Sequence, residues 1–478
     1  MSAAVPTTQT KSRPTRVRFG MLFLLCLLAM ITYLDRAMYG SAKGDLMAAV
    51  GQPEKNFFWV LVAFQVAYAL FEIPAGWMGD RFGPRVTLLR VVAWFSFFVA
   101  LTAFAGLPLA GTGVVVITFG VLVAMQFLFG VGEAGAFPNI SKAIYNWFPE
   151  NQRGSAKGLI WMSARLMGGL TPFVWVLLVV VGGLEWRQAL WIFAGAAALW
   201  CVAFYLSFRN RPEDHPEVND AERDLINAGK GAKQSHEAVP WGRIVRSRNV
   251  WALCLMYTVT NFNWYFLMYY LPGTLKSQFP QWNTTQGGQL MLALLGGAPL
   301  LVGMAGCLLG GLLTDAHIRR TGDRKWGRRA YGMLGYGLAA CCYAAAAIFV
   351  GGNLWVFAAC LILVGFSNDI IMGPSWATAQ DIGRRYSAIV SGAMNMVGNL
   401  GAALGNLVTG LILAAYTVKV NVGGEEKDVV EGAGFVVCFT MYAVVYALGV
   451  CSWLLIDPTR PVAPEEPPAP EPAEEQAW

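Results

Sequence analysis

The stretch GWMGDRFGPR, residues Gly76–Arg85, places three glycines, an aspartate and two arginines directly after an apolar run. A second Gly…Asp pair, Gly311 and Asp315, follows 235 residues later (311 − 76), and basic residues again come after it. The spacing is about half of the 478-residue chain, which indicates two similar halves. In membrane proteins a parallel repeat of this kind predicts two helical bundles with a shared binding site near the midplane.

The composition requires lipid as the solvent for most of the chain. Hydrophobic residues make up 56% of it, charged residues only 13%, and the mean hydropathy is +0.48, whereas soluble domains carry about 25% charged residues. The apolar runs are continuous for about twenty residues, which is the length of a spanning helix, and they lack the alternation of a β-barrel. We therefore predict an all-α membrane protein with twelve transmembrane helices in two pseudo-symmetric six-helix bundles. The predicted helices cover residues 18–40, 57–78, 86–106, 113–137, 156–182, 189–208, 250–272, 287–313, 329–350, 354–376, 388–416 and 433–456.

Lysine and arginine are concentrated in the loops that follow the even-numbered helices. Since cytoplasmic loops carry the excess of positive charge, both termini are predicted to be cytoplasmic, in the plasma membrane of a bacterium (the inner membrane). The stretch after the sixth helix is polar, and the C-terminal tail is rich in proline and glutamate, which predicts disorder. The predicted organisation is a cytoplasmic tail at 1–16, a bundle at 17–208, a cytoplasmic linker at 209–249, a second bundle at 250–457 and a disordered cytoplasmic tail at 458–478.

Composition and motifs argue against several classes of function. The net charge of +6 is explained by basic cytoplasmic loops, so we expect no nucleic-acid partner. The three histidines lie in polar loops and the nine cysteines in apolar segments, so we expect no metal site and no cofactor. No phosphate-binding Gly-x4-Gly-Lys-Ser/Thr run occurs, so the energy for any transport must come from an ion or substrate gradient. We find no intramembrane catalytic motif either, which argues against an enzyme.

The stretch Gly76–Arg85 resembles the cytoplasmic-loop signature of the major facilitator superfamily, and the resemblance extends over nearly the whole chain. In that family the glycines let helices approach closely, while the aspartate meets arginines and a helix N-terminus to close the inward gate. The alternative is a solvated charged turn that only fixes topology. The gating residues that the resemblance implies are Gly76, Asp80, Arg81, Gly83 and Arg85.

Finer features resemble the anion:cation symporter branch, whose members carry sugar acids, hexuronates and other organic anions. The matching elements are Tyr33-Leu-Asp35-Arg36 in the first helix, Gly130–Pro138 around Glu133 in the fourth, Ser375-Trp376 near the tenth, Asn395 and Asn399 in the eleventh, and Arg211–Pro216 in the linker. One departure stands out, because Gln126 occupies the position where the branch usually has an arginine, whereas Arg165 appears in the fifth helix.

An ionised side chain at bilayer depth costs several kcal/mol, so each one needs a partner or a function. Arg36 can clamp a substrate carboxylate with its planar guanidinium, or it can form a structural ion pair with Glu133. Asp35 and Glu133 are the candidate proton carriers, since burial favours a protonated carboxyl group and a nearby arginine favours the ionised one. The alternative is that both carboxylates are permanently paired.

The remaining polar side chains leave alternatives open. Arg165 is either a second substrate contact, suited to a dianion or sugar acid, or the structural partner of Glu133. Glu72 is expected to belong to the gate. Asp369 either adds a polar substrate contact or pairs with Asn261 or Asn263. The predicted substrate-binding residues are Tyr33, Arg36, Tyr68, Arg165, Trp376 and Asn395.

Together these features predict a secondary active transporter that imports a small carboxylated solute, such as a sugar acid or hexuronate, with H⁺ by alternating access. We expect it to act as a monomer in the lipid bilayer. The alternatives are an antiporter, exporter or uniporter of the same fold for another carboxylate, or a transporter-like sensor. The sensor would need a large soluble partner domain, and the sequence has none.

Overall fold

The computed structural model describes residues 13–109, 111–227, 240–422 and 425–462. The outer parts of both predicted tails, 1–12 and 463–478, and the middle of the linker lie outside this range. The described chain forms twelve long helical segments. They are α1 (Val17–Ser41), α2 (Phe58–Phe82), α3 (Pro84–Thr102), α4 (Phe119–Glu133, continued by Ala136–Trp147), α5 (Glu150–Val176, with a π-helical end Leu177–Val181), α6 (Trp186–Ser207), α7 (Arg248–Tyr269, continued by Leu271–Gln278), α8 (Gln286–Thr321), α9 (Arg324–Ile348), α10 (Leu354–Ile370, continued by Met372–Gly383), α11 (Ser387–Ala415) and α12 (Gly432–Leu455).

Eleven of these described helices are long and apolar enough to cross a membrane, and α7 is the exception. Its sequence includes Asn261 and Asn263 and many aromatic residues, which lower its mean hydropathy. Most of its second half is buried against other helices, so its polar residues need not face lipid. The predicted fold of twelve helices is confirmed.

The helices are arranged as two bundles, α1–α6 and α7–α12. Within the first, α1 packs on α5, α2 on α4 and α3 on α6; within the second, the equivalent pairs are α7 with α11, α8 with α10 and α9 with α12. The bundles meet through α5 against α8, through α2 against α11 and through a smaller contact of α1 with α7. Side chains on these six helices therefore line the boundary between the bundles.

An antiparallel β-hairpin, which the sequence analysis did not predict, joins α11 to α12. Its strands are β1 (Thr417–Val422) and β2 (Glu425–Val430). The Gln278 amide at the end of α7 donates to the carbonyl oxygen of Val430 at 3.3 Å. We call this side of the molecule the hairpin end. The opposite side, which holds the short helices Asp220–Asn227 and Trp241–Arg246, is the linker end.

Glycines bring the two bundles into close contact at the hairpin end and at mid-depth. A Cβ on Gly40 of α1 would lie 3.0 Å from the Tyr269 carbonyl oxygen of α7, and one on Gly410 of α11 would lie 2.2 Å from Phe58 of α2. At mid-depth a Cβ on Gly297 of α8 would lie 1.7 Å from the carbonyl oxygen of Gly169 on α5. The bundles are thus tightly closed toward the hairpin end.

The start of the linker is folded onto the first bundle. Glu222, whose side chain is fully buried, accepts from Arg18 at 2.7 Å and from the Thr15 hydroxyl at 2.6 Å. Asn219 accepts from the backbone N–H of Thr15 at 3.2 Å. The N-terminal turn of α1 and the helix Asp220–Asn227 therefore share one buried polar network.

We expect Glu222→Ala to destabilise the protein by about 3 kcal/mol, because it leaves the buried Arg18 guanidinium without its counter-charge. The melting temperature in detergent should fall by several degrees relative to wild type. Asp224→Ala is the matched control, since Asp224 lies on the same short helix with its side chain exposed. Equal melting temperatures for the two variants would show that the Glu222 network contributes no stability.

Candidate functional site

Arg36 and Glu133 form a buried ion pair inside the first bundle. The Nε of Arg36 on α1 donates to Oε1 of Glu133 on α4 at 2.5 Å, and the two side chains are 4% and 0% exposed. Helix α4 is interrupted directly after Glu133 and resumes at Ala136. In this conformation the structure thus contains the Arg36–Glu133 pair that the sequence analysis gave as one of two possibilities.

The pair is not saturated with hydrogen bonds. Arg36 Nη2 and Glu133 Oε2 have no hydrogen-bond partner in the part of the chain that the structure describes. The guanidinium lies against aromatic faces, with its carbon 4.6 Å from the ring centre of Tyr68 and 5.3 Å from that of Phe64. A guanidinium that packs on aromatic rings and has an unused N–H can donate a hydrogen bond to one more oxygen, such as that of a bound anion.

Asp35 is adjacent in sequence but has a different environment. Its side chain is 0% exposed, and neither carboxylate oxygen has a hydrogen-bond partner among the residues described. Its charged neighbour is Glu133, which repels a second negative charge, and the Tyr39 hydroxyl is also close. An isolated carboxylate in an apolar site is unstable unless it binds a proton or a cation. The chemistry of Asp35 therefore suits a proton carrier.

Gln126 lies two turns before Glu133 on α4 and is 3% exposed. Tyr39 of α1 is its polar neighbour. Because glutamine is neutral, Arg36 is the cation that faces Glu133. The departure at Gln126 thus leaves a single arginine serving this carboxylate.

Arg165 pairs with Asp369, which joins the two bundles. Nε of Arg165 on α5 lies 2.9 Å from Oδ2 of Asp369 on α10, and Nη2 donates to Oδ1 at 3.0 Å. Asn368 also donates to Oδ1, at 3.1 Å. The suggested pairing of Arg165 with Glu133 is not found, because Asp369 already takes two of its nitrogens. The suggested partners of Asp369 in α7, Asn261 and Asn263, are likewise replaced by Arg165 and Asn368.

The predicted aromatic residues gather around the two arginines. The Tyr33 hydroxyl accepts from Arg165 at 3.4 Å, and the ring of Tyr33 packs edge-on against Trp264 of α7, with centres 6.4 Å apart. The guanidinium carbon of Arg165 lies 4.3 Å from the Trp264 ring centre. Trp376 lies farther toward the linker end, with its ring centre 6.4 Å from that of Trp161 on α5. Aromatic side chains from both bundles therefore face one another at mid-depth.

A second polar link crosses the boundary between α2 and α11. Asn395 of α11 donates its amide N–H to Oε1 of Glu72 on α2. Glu72 is 7% exposed, and its other oxygen has no hydrogen-bond partner within the described ranges. Of the predicted substrate-binding residues, Asn395 is thus placed against Glu72, whose carboxylate in turn lies within electrostatic reach of Arg36.

The glycine- and arginine-rich stretch lies at the linker end, where α2 passes into α3. The guanidinium of Arg81 lies over Trp77 of its own helix, and Arg85 donates to the Tyr205 carbonyl of α6 at 2.5 Å. Arg85 also reaches the start of the linker, because its backbone N–H donates to Oδ1 of Asn210 at 2.9 Å. Gly83 has φ +81°, which favours glycine, and Gly76 has Pro138 of α4 as its neighbour. The side chain of Asp80 is outside the described part of the structure.

The second copy of the stretch forms an ion-pair network at the same end of the other bundle. Arg328 of α9 lies 3.3 Å from Asp315 of α8 and 3.1 Å from Asp381 of α10. Arg324 lies 3.7 Å from the same Asp381. The two halves therefore use their repeated Gly…Asp elements at equivalent places in the fold.

The chain is similar over most of its length to known membrane transporters. The sequence profile of the Major Facilitator Superfamily matches residues 25–406. The chain is 29% identical to the probable sulfoacetate transporter SauU of Cupriavidus necator, over 80% of this chain and 84% of the relative. It is 27% identical to the probable galactarate/D-glucarate transporter GudP of Bacillus subtilis (84% and 87%), and 25% identical to the D-galactonate transporter of Escherichia coli (85% and 91%).

Solved structures share the fold at lower identity. A bacterial homologue of the human lysosomal transporter Spinster, in an inward-facing and occupied conformation, superposes with a TM-score of 0.68 at 18% identity, over 92% of this chain and 97% of that one. The xylose transporter XylE of E. coli, partially occluded and inward open, gives a TM-score of 0.64 at 13% identity, over 91% and 97%. The predicted resemblance is confirmed: the chain belongs to the Major Facilitator Superfamily, as a multi-pass membrane transporter related to anion transporters and not as an enzyme.

Proposed function

We propose that this protein is a proton-coupled symporter that imports a small organic anion with a carboxylate group. The observation that carries the proposal is the buried Arg36–Glu133 pair with an unused N–H on the arginine, next to a carboxyl group, Asp35, that has no partner in the described chain. The names of the sulfoacetate, galactarate/glucarate and galactonate transporters support an organic acid as the substrate class.

Coupling follows from competition for one arginine. When the substrate carboxylate binds Arg36, Glu133 loses its counter-charge at a site that is 0% exposed. Leaving a buried carboxylate ionised costs several kcal/mol, so Glu133 takes up a proton as the substrate binds. Asp35, which repels Glu133 when both are ionised, holds a further proton at the same depth. Release of the protons restores the ion pair and expels the anion.

The other predicted residues are assigned roles by their position. Flat faces and hydrogen bonds for the substrate come from Tyr33, Tyr68, Trp376 and Asn395. Gly76, Asp80, Arg81, Gly83 and Arg85 form the gate at the linker end, and the contact of Glu72 with Asn395 closes with it.

The basic loops lie at the linker end, so we place that end in the cytoplasm of a bacterial cell, with both termini inside. The tight glycine contacts at the hairpin end then close the path from outside in this conformation. We retain the proposed boundaries of the two bundles, 17–208 and 250–457, and a monomeric working unit.

The proposal is tested in proteoliposomes with a labelled sugar acid. Acidifying the outside should drive accumulation of the anion by the wild-type protein. Glu133→Gln should still exchange internal for external anion but lose the accumulation, because it can no longer take up and release a proton. Uptake by the wild type that is independent of the pH gradient would overturn the coupling and indicate a uniporter.

A further inference from the structure

A second arginine–carboxylate pair, Arg165 with Asp369, lies at mid-depth and takes no part in the coupling described above. Arg165 Nη2 donates a hydrogen bond to Asp369 Oδ1 at 3.0 Å, while Nε lies 2.9 Å from Oδ2 at ion-pair distance without a hydrogen-bond partner among the described residues. The side chains are 6% and 1% exposed. Gly303 of α8 makes room for the carboxylate, since a Cβ there would lie 2.4 Å from Asp369 Oδ2.

Asp369 is the repeat counterpart of Glu133. The two residues are 236 apart (369 − 133), within one residue of the spacing between the repeated Gly…Asp elements. Both stand where a helix is interrupted: the first part of α4 ends at Glu133, and that of α10 ends at Ile370, one residue after Asp369. Interrupted helices are where transporters of this kind place their binding sites. Each half of the molecule therefore presents one buried carboxylate to one arginine.

The two arginines lie near the same tyrosine ring. The guanidinium carbons of Arg36 and Arg165 lie 5.5 Å and 5.8 Å from the centre of the same Tyr33 ring. The two guanidinium carbons are therefore no farther apart than the sum of these two distances. One small molecule with an acidic group at each end can bridge that separation. Both arginines belong to the first bundle, on α1 and α5, so such a molecule would be held by that bundle at its boundary with Asp369 of α10.

Resting on the anion site proposed above, we propose that Arg165 is a second anion subsite in which Asp369 holds the place of the substrate's second acidic group. The substrate is then a dianion, such as a dicarboxylate or a sulfonated carboxylate. One acidic group binds Arg36 and the other displaces Asp369 from Arg165. Since the displacement also breaks an ion pair between α5 and α10, binding of the dianion loosens the link between the bundles.

Displacement has a consequence for protons. The cation next to Asp369 is Arg165. The other polar neighbours of Asp369 are Cys307 of α8, Tyr446 of α12 and Asn368. None of these three neighbours is a cation. Once Arg165 has moved to the substrate, Asp369 binds a proton for the same reason that Glu133 does. Each dianion is therefore accompanied by one proton more than the Arg36–Glu133 exchange alone requires.

The test compares acids that differ by one acidic group: gluconate with glucarate, and acetate with sulfoacetate. Binding to the purified protein in detergent is measured by isothermal titration calorimetry. The wild type should bind the dianion of at least one pair roughly 10–100-fold more tightly than the monoanion, as expected for one additional charge-assisted hydrogen-bonded pair. Arg165→Gln should remove that preference, because the dianion then has one arginine contact, as the monoanion does.

Asp369→Asn keeps the shape of the side chain and removes the competing charge. It should bind the dianion more tightly than the wild type does. In two buffers of different ionisation enthalpy, it should take up one proton fewer per bound dianion. If the Arg165–Asp369 ion pair served only to hold the bundles together, Asp369→Asn would change the affinities for the monoanion and the dianion equally. The number of protons taken up would also stay the same. That result would overturn the inference.

The wild-type measurements separate the two proposals. Equal affinity for mono- and dianions would overturn the second subsite while leaving the Arg36 site intact. Failure to bind any of the four acids would overturn the proposed function itself. If Arg165→Gln does not fold, the affinity and proton count of Asp369→Asn decide the matter alone.

Discussion

Arg36→Ala is expected to abolish productive anion binding, with an affinity loss of about 30-fold or more. The guanidinium is 4% exposed and packs on Tyr68, and the alanine side chain supplies neither its charge nor its N–H groups. Truncating one member of a buried, hydrogen-bonded charge pair costs roughly 2–5 kcal/mol, which corresponds to a factor of about 30 to several thousand in affinity. Arg36→Lys keeps the charge but loses the planar fork, so its affinity should be intermediate.

Arg36→Ala also removes the ion-pair partner of Glu133, which can destabilise the protein. The double variant Arg36→Ala/Glu133→Gln removes the orphaned carboxylate and should still fail to bind, with a melting temperature close to that of wild type. Arg243→Ala is the matched control for loss of a positive charge, because Arg243 is exposed in the linker. Binding by the double variant at wild-type affinity would place the anion site elsewhere.

The long helices were predictable because their signal is local. Twenty consecutive apolar residues need no information from the rest of the chain to be recognised as a spanning helix. The predicted window 18–40 corresponds to Val17–Ser41, and 433–456 to Gly432–Leu455. The interruption of α4 after Glu133 was not predicted, since the apolar pattern continues across it.

The partners of the buried charges were only partly predictable. Arg36 and Glu133 were recognised as a possible pair because both matched elements of one family pattern. The partner of Arg165 depends on how α5 and α10 are rotated and where the bundles touch, and hydrophobic periodicity does not report either. The internal repeat carries one further signal: Asp369 stands 236 residues after Glu133, within one residue of the repeat spacing of 235.

The surface elements were less predictable for a different reason. The linker was expected to be a polar cytoplasmic segment, yet Glu222 within it is 0% exposed and bound to Arg18. A short amphipathic helix in a polar stretch depends on a docking site that only the folded bundle provides. The hairpin β1–β2 has the same dependence, since it is anchored by contacts such as that of Gln278 with Val430.

The glycine contacts between the two bundles must open and close during transport. Alternating access requires the bundles to rock about the site, so contacts that form in one conformation must separate in another. Closure at mid-depth uses Gly169 and Gly297, whose backbones touch between α5 and α8. The same two helices, α5 and α8, carry Arg165 and Gly303, and both of these residues lie close to Asp369.

Gly297→Ala should therefore shift the conformational equilibrium away from this structure. The added Cβ would lie 1.7 Å from the Gly169 carbonyl oxygen, a backbone atom that cannot rotate away. Relieving such an overlap typically costs 1–3 kcal/mol, which changes the ratio of the two conformations by roughly 5–150-fold. Transport should slow accordingly, because this state becomes rare in the cycle.

The shift is measured as a distance between spin labels at Lys55 and Gln281, two exposed positions at the hairpin end of opposite bundles. Gly297→Ala should lengthen this distance, whereas Gly287→Ala, the same substitution on α8 with nothing within 4 Å of the new methyl group, should leave it unchanged. Alanine favours a helix over glycine by about 1 kcal/mol, so an effect of helix propensity alone would appear in both variants. A distance that stays at the wild-type value in Gly297→Ala would mean that α5 and α8 do not need this contact to close, and that the bundles are held shut by the polar links alone.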